Sequence, residues 1–253
     1  MPNHVTNRIT ATKELIDSLI RVDPDDGKEC VDFRLIIPCP AAIVTDSVGM
    51  HVKSAAEIAL GLIDFRHTGD AHASFLGGDY GAAATVLHVS SCTRQLLEGP
   101  HPKDFNDTDW AAFMGYLKAY RECDGLMDWH DWNRAKWGTK WNSYQMKRVS
   151  DTVVTFETAW SAPHPVFEKL NADRNECFLH EWADEDTGSN VGSRKYMGQC
   201  GMVENELSGT KEGYELAFDL GAASSDNYVL VDGRYEWHDR EEESAETVDA
   251  VAN

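Results

Sequence analysis

Asp128-Trp129-His130-Asp131-Trp132-Asn133 leads into Trp137-Gly138-Thr139-Lys140-Trp141-Asn142. Thr152-Val153-Val154-Thr155-Phe156-Glu157-Thr158-Ala159-Trp160 follows a few residues later. This run holds five of the eight tryptophans in the 253-residue chain, and its periodicity changes partway along. Residues 128–136 have helical character, and Gly138 is placed to end that helix. Residues 141–149 turn extended, and Ser150-Asp151 makes a turn. In the next run Val154, Phe156, Thr158 and Trp160 share one face, and Val153, Thr155 and Glu157 share the other. Alternation with a period of two on both sides of a turn predicts a β-hairpin. A helix that delivers the chain into a half-buried hairpin needs a sheet for the hairpin to join, which makes the chain α+β.

Upstream, the β-branched residues of the opening alternate, with Val5, Asn7 and Ile9 on one side and Thr6, Arg8 and Thr10 on the other. That predicts a strand over residues 3–11. Thr12 can cap a helix whose apolar stripe is Leu15, Ile16, Leu19 and Ile20. Asp23-Pro24-Asp25-Asp26-Gly27 reads as a turn, and residues 31–37 as a second strand closed by Pro38-Cys39-Pro40. Strand character is then lost. Helices are expected over residues 55–65 and 82–97, with a Gly-, His- and Asp-rich loop at 67–80 and a break at Gly99-Pro100-His101-Pro102. A third helix, capped by Asp107 or Thr108 and running to about residue 123, is expected to bury Trp110, Phe113, Met114, Leu117 and Tyr120. Residues 41–127 thus read as a helical insertion in a single domain spanning 1–238.

Downstream, Ser161-Ala162-Pro163 opens a helix to about residue 170. Residues 177–182 form a strand, 183–190 an acidic loop and 192–203 the partner strand, while 208–227 stays ambiguous. Residues 228–237 are a second hairpin around Asp232-Gly233. From residue 239 the tail is acidic, nearly without large apolar side chains, and is expected to be disordered.

With 23 basic and 43 acidic residues the net charge is −20. Residues 176–253 hold 19 acidic and 5 basic residues, a net of −14. Such a chain repels bare nucleic acid and suits a basic protein partner; acidity of this kind also serves solubility. Without a run of eighteen apolar residues or a secretory signal, a soluble protein of the cytoplasm is expected. The six cysteines form no C-x-x-C pair and lack zinc-finger histidine spacing, so small buried apolar side chains are expected rather than a metal site or reactive thiol.

Catalytic motifs are absent, and no cofactor is implied. Trp129, Trp132, Trp137 and Trp141 could form a platform for a base or a cage for a cation, with Lys140 beside them for a phosphate. Packing of a helix on a sheet, with the lysine stem along an indole, is the weightier reading. Asp128, His130 and Asp131 resemble a metal or acid–base cluster, although neighbouring positions on a helix point apart. The loop from Asp184 to Asn190 has oxygen ligands but lacks the closing glutamate of an EF-hand. Gly77-Gly78-Asp79-Tyr80-Gly81 precedes a helix without a P-loop lysine. No metal is expected at any of these.

Three elements together are similar to the YubB-like proteins of bacteriophages and conjugative plasmids, which have a ferredoxin-like domain. They are Met1-Pro2-Asn3-His4-Val5-Thr6-Asn7-Arg8-Ile9, the tryptophan run with Trp137-Gly138-Thr139-Lys140-Trp141-Asn142, and Phe156-Glu157-Thr158-Ala159-Trp160-Ser161-Ala162-Pro163. The loop before Gly188 is a fourth. That family more often has tyrosine where His130 stands. The resemblance covers roughly residues 1–40 and 105–205. It implies a ferredoxin-like βαβ-βαβ sheet with helices on one face; the helical insertion, an extra C-terminal β-hairpin and the acidic tail lie outside it. It supplies a mobile-element origin and no catalytic residues.

Two functions follow as expectations. One is an accessory interaction protein that inhibits a basic, nucleic-acid-binding host complex such as CRISPR or restriction, its carboxylates standing where phosphates would. Its candidate contacts are Asp184, Glu185, Asp186, Glu241, Glu242 and Glu243. The other is a small-molecule or nucleotide-binding module, or an enzyme, lined by Trp129, Trp132, Trp137, Lys140 and Trp141. Buried indoles with satisfied N–H groups favour the first, and two or more exposed in one pocket favour the second.

Overall fold

Asn7 sits at the middle of the first strand, and its strand becomes the centre of a sheet. The computed structural model describes residues 3–24, 27–45, 48–60, 62 and 105–238. β1 (His4–Thr10) alternates between buried and half-buried positions, with Val5, Asn7 and Ile9 inward. It pairs antiparallel with β5 (Val153–Ala159) on one side and β6 (Cys177–Asp184) on the other. β4 (Tyr144–Ser150) lies outside β5. β7 (Val191–Met197) and β8 (Met202–Glu206) extend the sheet beyond β6. The six-stranded order is β4-β5-β1-β6-β7-β8, every pairing antiparallel.

Helices complete the pattern. α1 (Lys13–Leu19) follows β1, with the Thr12 side chain accepting from the Leu15 N–H at its start. α5 (His164–Arg174) connects β5 to β6. β4-β5-β1-β6 with these two helices is the strand order of a ferredoxin-like sheet, two βαβ halves interleaved. Arg174 at the end of α5 donates to the Ser18 hydroxyl near the end of α1. Val154, Phe156, Phe167, Leu170, Phe178 and Trp182 fill the core and are all at most 4% exposed. Each such side chain contributes about 1.5–3 kcal/mol by leaving water. Polar groups on this inward face must find partners there. The Asn7 amide N–H donates to Val5 O and to Thr158 Oγ1, and Thr158 Oγ1 donates to Ser161 O.

The ambiguous stretch 208–227 contains α6 (Lys211–Leu220), whose Thr210 cap accepts from the Gly213 N–H. It covers the reverse face of the sheet, packing Ala217 and Leu220 on Ala183 and Val191. Arg8 reaches from that face to Glu181 at 2.7 Å and to Asp219 of α6 at 2.6 Å. β9 (Tyr228–Val231) and β10 (Arg234–Trp237) form the expected hairpin, with Asp232 and Gly233 both at positive φ in its turn. Its Tyr228 and Tyr235 rings pack tilted or edge-on against Tyr214 and Phe218 of α6.

Several boundaries differ from expectation, each for a local reason. Residues 31–37 are not one strand: β3 (Glu29–Val31) pairs with β2 (Ile20–Val22) as a two-stranded ribbon. The backbone then turns because the Asp32 carboxylate accepts from the Arg34 N–H and starts a single 3₁₀ turn, Phe33–Leu35. Residues 192–203 are two strands, because the turn at Gly198–Cys200 reverses the chain. β6 runs on through Asp184, so the acidic loop is shorter than read. Trp160 leaves the face of Phe156 because its φ is +73° and it is 53% exposed.

The chain divides into two compact units, Met1–Pro38 with Asn133–Asn253, and Cys39–Trp132. The first holds everything above. The second contains α2 (Met50–Ala59) and α3 (Asp107–Glu122), and α4 (Trp129–Lys136) begins in it. Asn106, not Asp107 or Thr108, caps α3; its side chain accepts from the Thr108 and Asp109 N–H groups while Asp109 accepts from the Asn106 N–H. That reciprocal pair satisfies three end donors. The buried face of α3 is Ala112, Tyr116 and Ala119, leaving Trp110 43% and Met114 59% exposed. Small residues let α3 pack closely on Val52, Ala55 and Ala56 of α2. The helix expected over 82–97, the loop 67–80 with Gly77 to Gly81, and the tail from residue 239 lie outside the described residues. Cys30 and Cys123 are buried as expected, whereas Cys177 and Cys200 are exposed. Among the described residues no helix is long and apolar enough to cross a membrane.

Candidate functional site

In the second unit, Asp128, His130 and Asp131 gather within reach of one another: a ligand atom from each lies within 4.8 Å of the others. Asp128 accepts from the Asp131 N–H at the start of α4, which is ordinary helix-end chemistry. The Lys53 ammonium lies 2.7 Å from Asp128 Oδ2 and 2.5 Å from Asp131 Oδ2. Burial works against that charge, but the two carboxylate bonds outweigh it and hold the Lys53 pKa above the usual lysine value. Burial raises Asp131 too, and the Lys53 bond overrides it, leaving its carboxyl below the usual range. Nearby, burial pushes the Glu57 carboxyl and the Tyr116 phenol up. The single Lys53 ammonium thus bridges two carboxylates of the trio and offsets part of their charge. Lys53 carries no motif, and its part was not legible in the sequence.

In the first unit, the tryptophan run divides by role. Trp137 is buried, donates its indole N–H to Ile37 O at 2.9 Å and meets Phe33 edge-on. Trp141 is 37% exposed, with the Lys140 ammonium 4.9 Å from its ring centre. In the second unit, Trp132 is buried and Trp129 half-buried against the His130 ring. Of the five residues of the ligand-binding expectation, Trp141 lines a cleft and is the most exposed of the three tryptophans Trp132, Trp137 and Trp141.

That cleft, about 790 Å³, lies between the β2–β3 ribbon and the start of β4; its walls include Glu29, Cys30, Trp141, Tyr144, Gln145 and Arg148. The two residues after Trp141 lock the ribbon in place. Ser143 Oγ accepts from the Val31 N–H at 2.8 Å. Asn142 accepts from the Phe33 N–H at 2.9 Å and donates to Asp32 at 3.0 Å. In β4 the register slips between Tyr144 and Lys147, so that Gln145 and Met146 share the place opposite Phe156. Gln145 takes φ +50° in this bulge. Burial, with Glu157 and Glu185 nearby, pushes the Tyr144 phenol well up, and its hydroxyl lies 2.8 Å from His4 Nδ1.

The acidic candidates separate as well. Asp184 is 6% exposed; it accepts from the Asp186 N–H at 2.9 Å and the Asn190 amide at 3.1 Å. Its carboxylate is committed to shaping the loop. Glu185 and Asp186 are exposed. Glu241, Glu242 and Glu243 lie outside the described residues. β8, one of the two outer strands of the sheet, was not legible as a separate strand; it is exposed along its whole length and bears Glu204 and Glu206. Gly209 N–H donates to Gly188 O, which places the end of β8 beside the loop that carries Glu185 and Asp186.

Residues 136–221 match a family model described as the ferredoxin-like domain in Api92-like protein. The carboxy-terminal part of this chain is similar to that domain. The match takes in the cleft residues Trp141 to Arg148, both flanking strands of the central β1 and the acidic loop. Among solved structures, the protein Api92 from Yersinia pseudotuberculosis aligns over 81% of this chain and 99% of its own at 12% identity, with a TM-score of 0.32. No curated protein matches this chain.

Proposed function

We propose that this protein is an accessory interaction protein of a phage or plasmid, which engages a basic surface of a nucleic-acid-binding host complex such as CRISPR or restriction. One observation carries the proposal: the β6–β7 loop with exposed Glu185 and Asp186 lies beside the end of an exposed edge strand that bears Glu206 and Glu204, the latter paired with Arg194 at 3.0 Å. An open antiparallel edge offers unpaired backbone groups to a partner, and a row of carboxylates selects a cationic one. Carboxylates presented in this way can occupy a groove built for phosphates. The net charge of −20 favours a basic partner over bare nucleic acid. The similarity of the opening nonapeptide and the tryptophan run to YubB-like proteins supports the mobile-element setting, in which the partner is met in the bacterial cytoplasm.

The test is a crosslinking pull-down from host lysate at rising salt, run beside a variant with Glu185→Lys, Asp186→Lys and Glu204→Lys. Capture of a basic, nucleic-acid-binding complex that fades with salt and is lost in the variant is the expected result. Capture that ignores both salt and charge reversal would rule out an electrostatic interface.

A further inference from the structure

We propose that the cleft between the β2–β3 ribbon and β4 is a binding site for a free nucleotide, its base stacked on Trp141. This does not depend on the acidic edge strand. Four observations point to it. The volume, about 790 Å³, is in the range of small-ligand sites. Its wall carries a 37% exposed indole, whereas Trp132 and Trp137 are 2% and 4% exposed. A large ring left open beside a cation and a phenol edge (Lys140 at 4.9 Å, Tyr144 at 6.3 Å between ring centres) offers a stacking surface that does little for the core.

The cleft is also built rather than incidental. Asn142 and Ser143 are spent on fixing the ribbon, so the opposite wall is held before any ligand arrives. Gln145 takes a left-handed backbone, uncommon for glutamine, in a bulge that lets it line the cleft. Bulges re-aim side chains beside binding sites, and an amide is suited to the mixed donor and acceptor edge of a base.

Charge gives the rest of the ligand. The basic residues of the cleft wall are Lys28 and Arg148, within a chain of net charge −20. Arg148 lines the cleft and is held by Asp17 at 2.6 Å, a fixed cation for a phosphate. Asp23 and Glu29 on the ribbon limit how much negative charge the cleft accepts. The acidity of the whole chain repels a polyanion, so a mononucleotide fits better than a strand.

The experiment titrates the full chain with AMP, adenosine, inorganic phosphate and oligoadenylate, read by calorimetry and tryptophan fluorescence. AMP is expected to bind saturably. Trp141→Ala should weaken it by about tenfold or more, as loss of a base stack does, while Trp141→Phe retains most of the affinity. Arg148→Gln should weaken AMP and leave adenosine unchanged. Unchanged AMP binding in Trp141→Ala, or no saturable binding of AMP or adenosine, would overturn the site. Oligoadenylate binding more tightly than AMP would overturn the free-nucleotide assignment.

Discussion

His180 Nε2 lies 2.9 Å from Asn7 Oδ1, with both side chains fully buried at the centre of the sheet. Because the Asn7 amide nitrogen is already donating to Val5 O and Thr158 Oγ1, its oxygen is the acceptor. His180 therefore carries its proton on Nε2, and Nδ1 is left buried without a hydrogen-bond partner. Replacing Asn7 with leucine should cost about 1–3 kcal/mol, the penalty for an orphaned buried donor. Urea denaturation measures it; a loss of a few tenths would mean that the network does not hold the strand.

The same geometry sets a pH response. Burial lowers the pKa of His180 well below 6.5, and burial with Arg194 nearby pushes His164 down to about 4. Between pH 6.5 and about 4 the unfolded chain binds protons at these residues and the folded chain does not. Stability should therefore fall as pH drops through that window. Glu57, raised by burial, opposes this over part of the range. His164 packs edge-on against Trp182 at 4.5 Å, a contact that His164→Phe can keep. That variant should flatten the slope of urea midpoint against pH; an unchanged slope would assign the acid sensitivity elsewhere.

Gly138 ends α4 at φ +79°, and a Cβ there would meet Pro165 Cδ at 2.7 Å. Gly138→Ala is thus strained both by its backbone and by its neighbour. A loss of more than about 1 kcal/mol is expected in thermal or urea unfolding. A neutral result would show that the start of α5 gives way.

Lys53→Met removes the cation between Asp128 and Asp131. It should cost about 1.5–3 kcal/mol, the range for hydrogen bonds to charged groups. Freed of the ammonium, the trio with His130 should also acquire a zinc-dependent rise in melting temperature that the native protein lacks. A zinc response in the native protein would contradict Lys53 as the resident cation.

Legibility in the sequence followed the range of the interactions. The hairpin at Asp232-Gly233, the Thr12 cap and the alternation of β1 and β5 depend on near neighbours, and the sequence carried them plainly. The two interleaved βαβ halves followed from the tryptophan run and its resemblance. What was hidden depends on distant partners. The ribbon before the Asp32 turn is held by Ser143 and Asn142, which the chain brings in from far along the sequence. Trp110 looks like core by composition, but Tyr116 and two alanines occupy the buried face of α3. Asp184 reads as a surface charge until β1 pairs beside it. Five cations without a carboxylate over residues 133–150 stand out in so acidic a chain, and of these Arg148 lines the cleft.

The central place of β1 has a consequence in time. Its two partners are residues 153–159 and 179–184, so while a ribosome is still making the middle of the chain, β1 has neither neighbour to pair with. Its loop closures are among the longest in the molecule, and long closures slow folding. The opening strand, rich in β-branched residues, must wait unpaired until β5 and β6 emerge, and during that interval a chaperone or another nascent chain can compete for it.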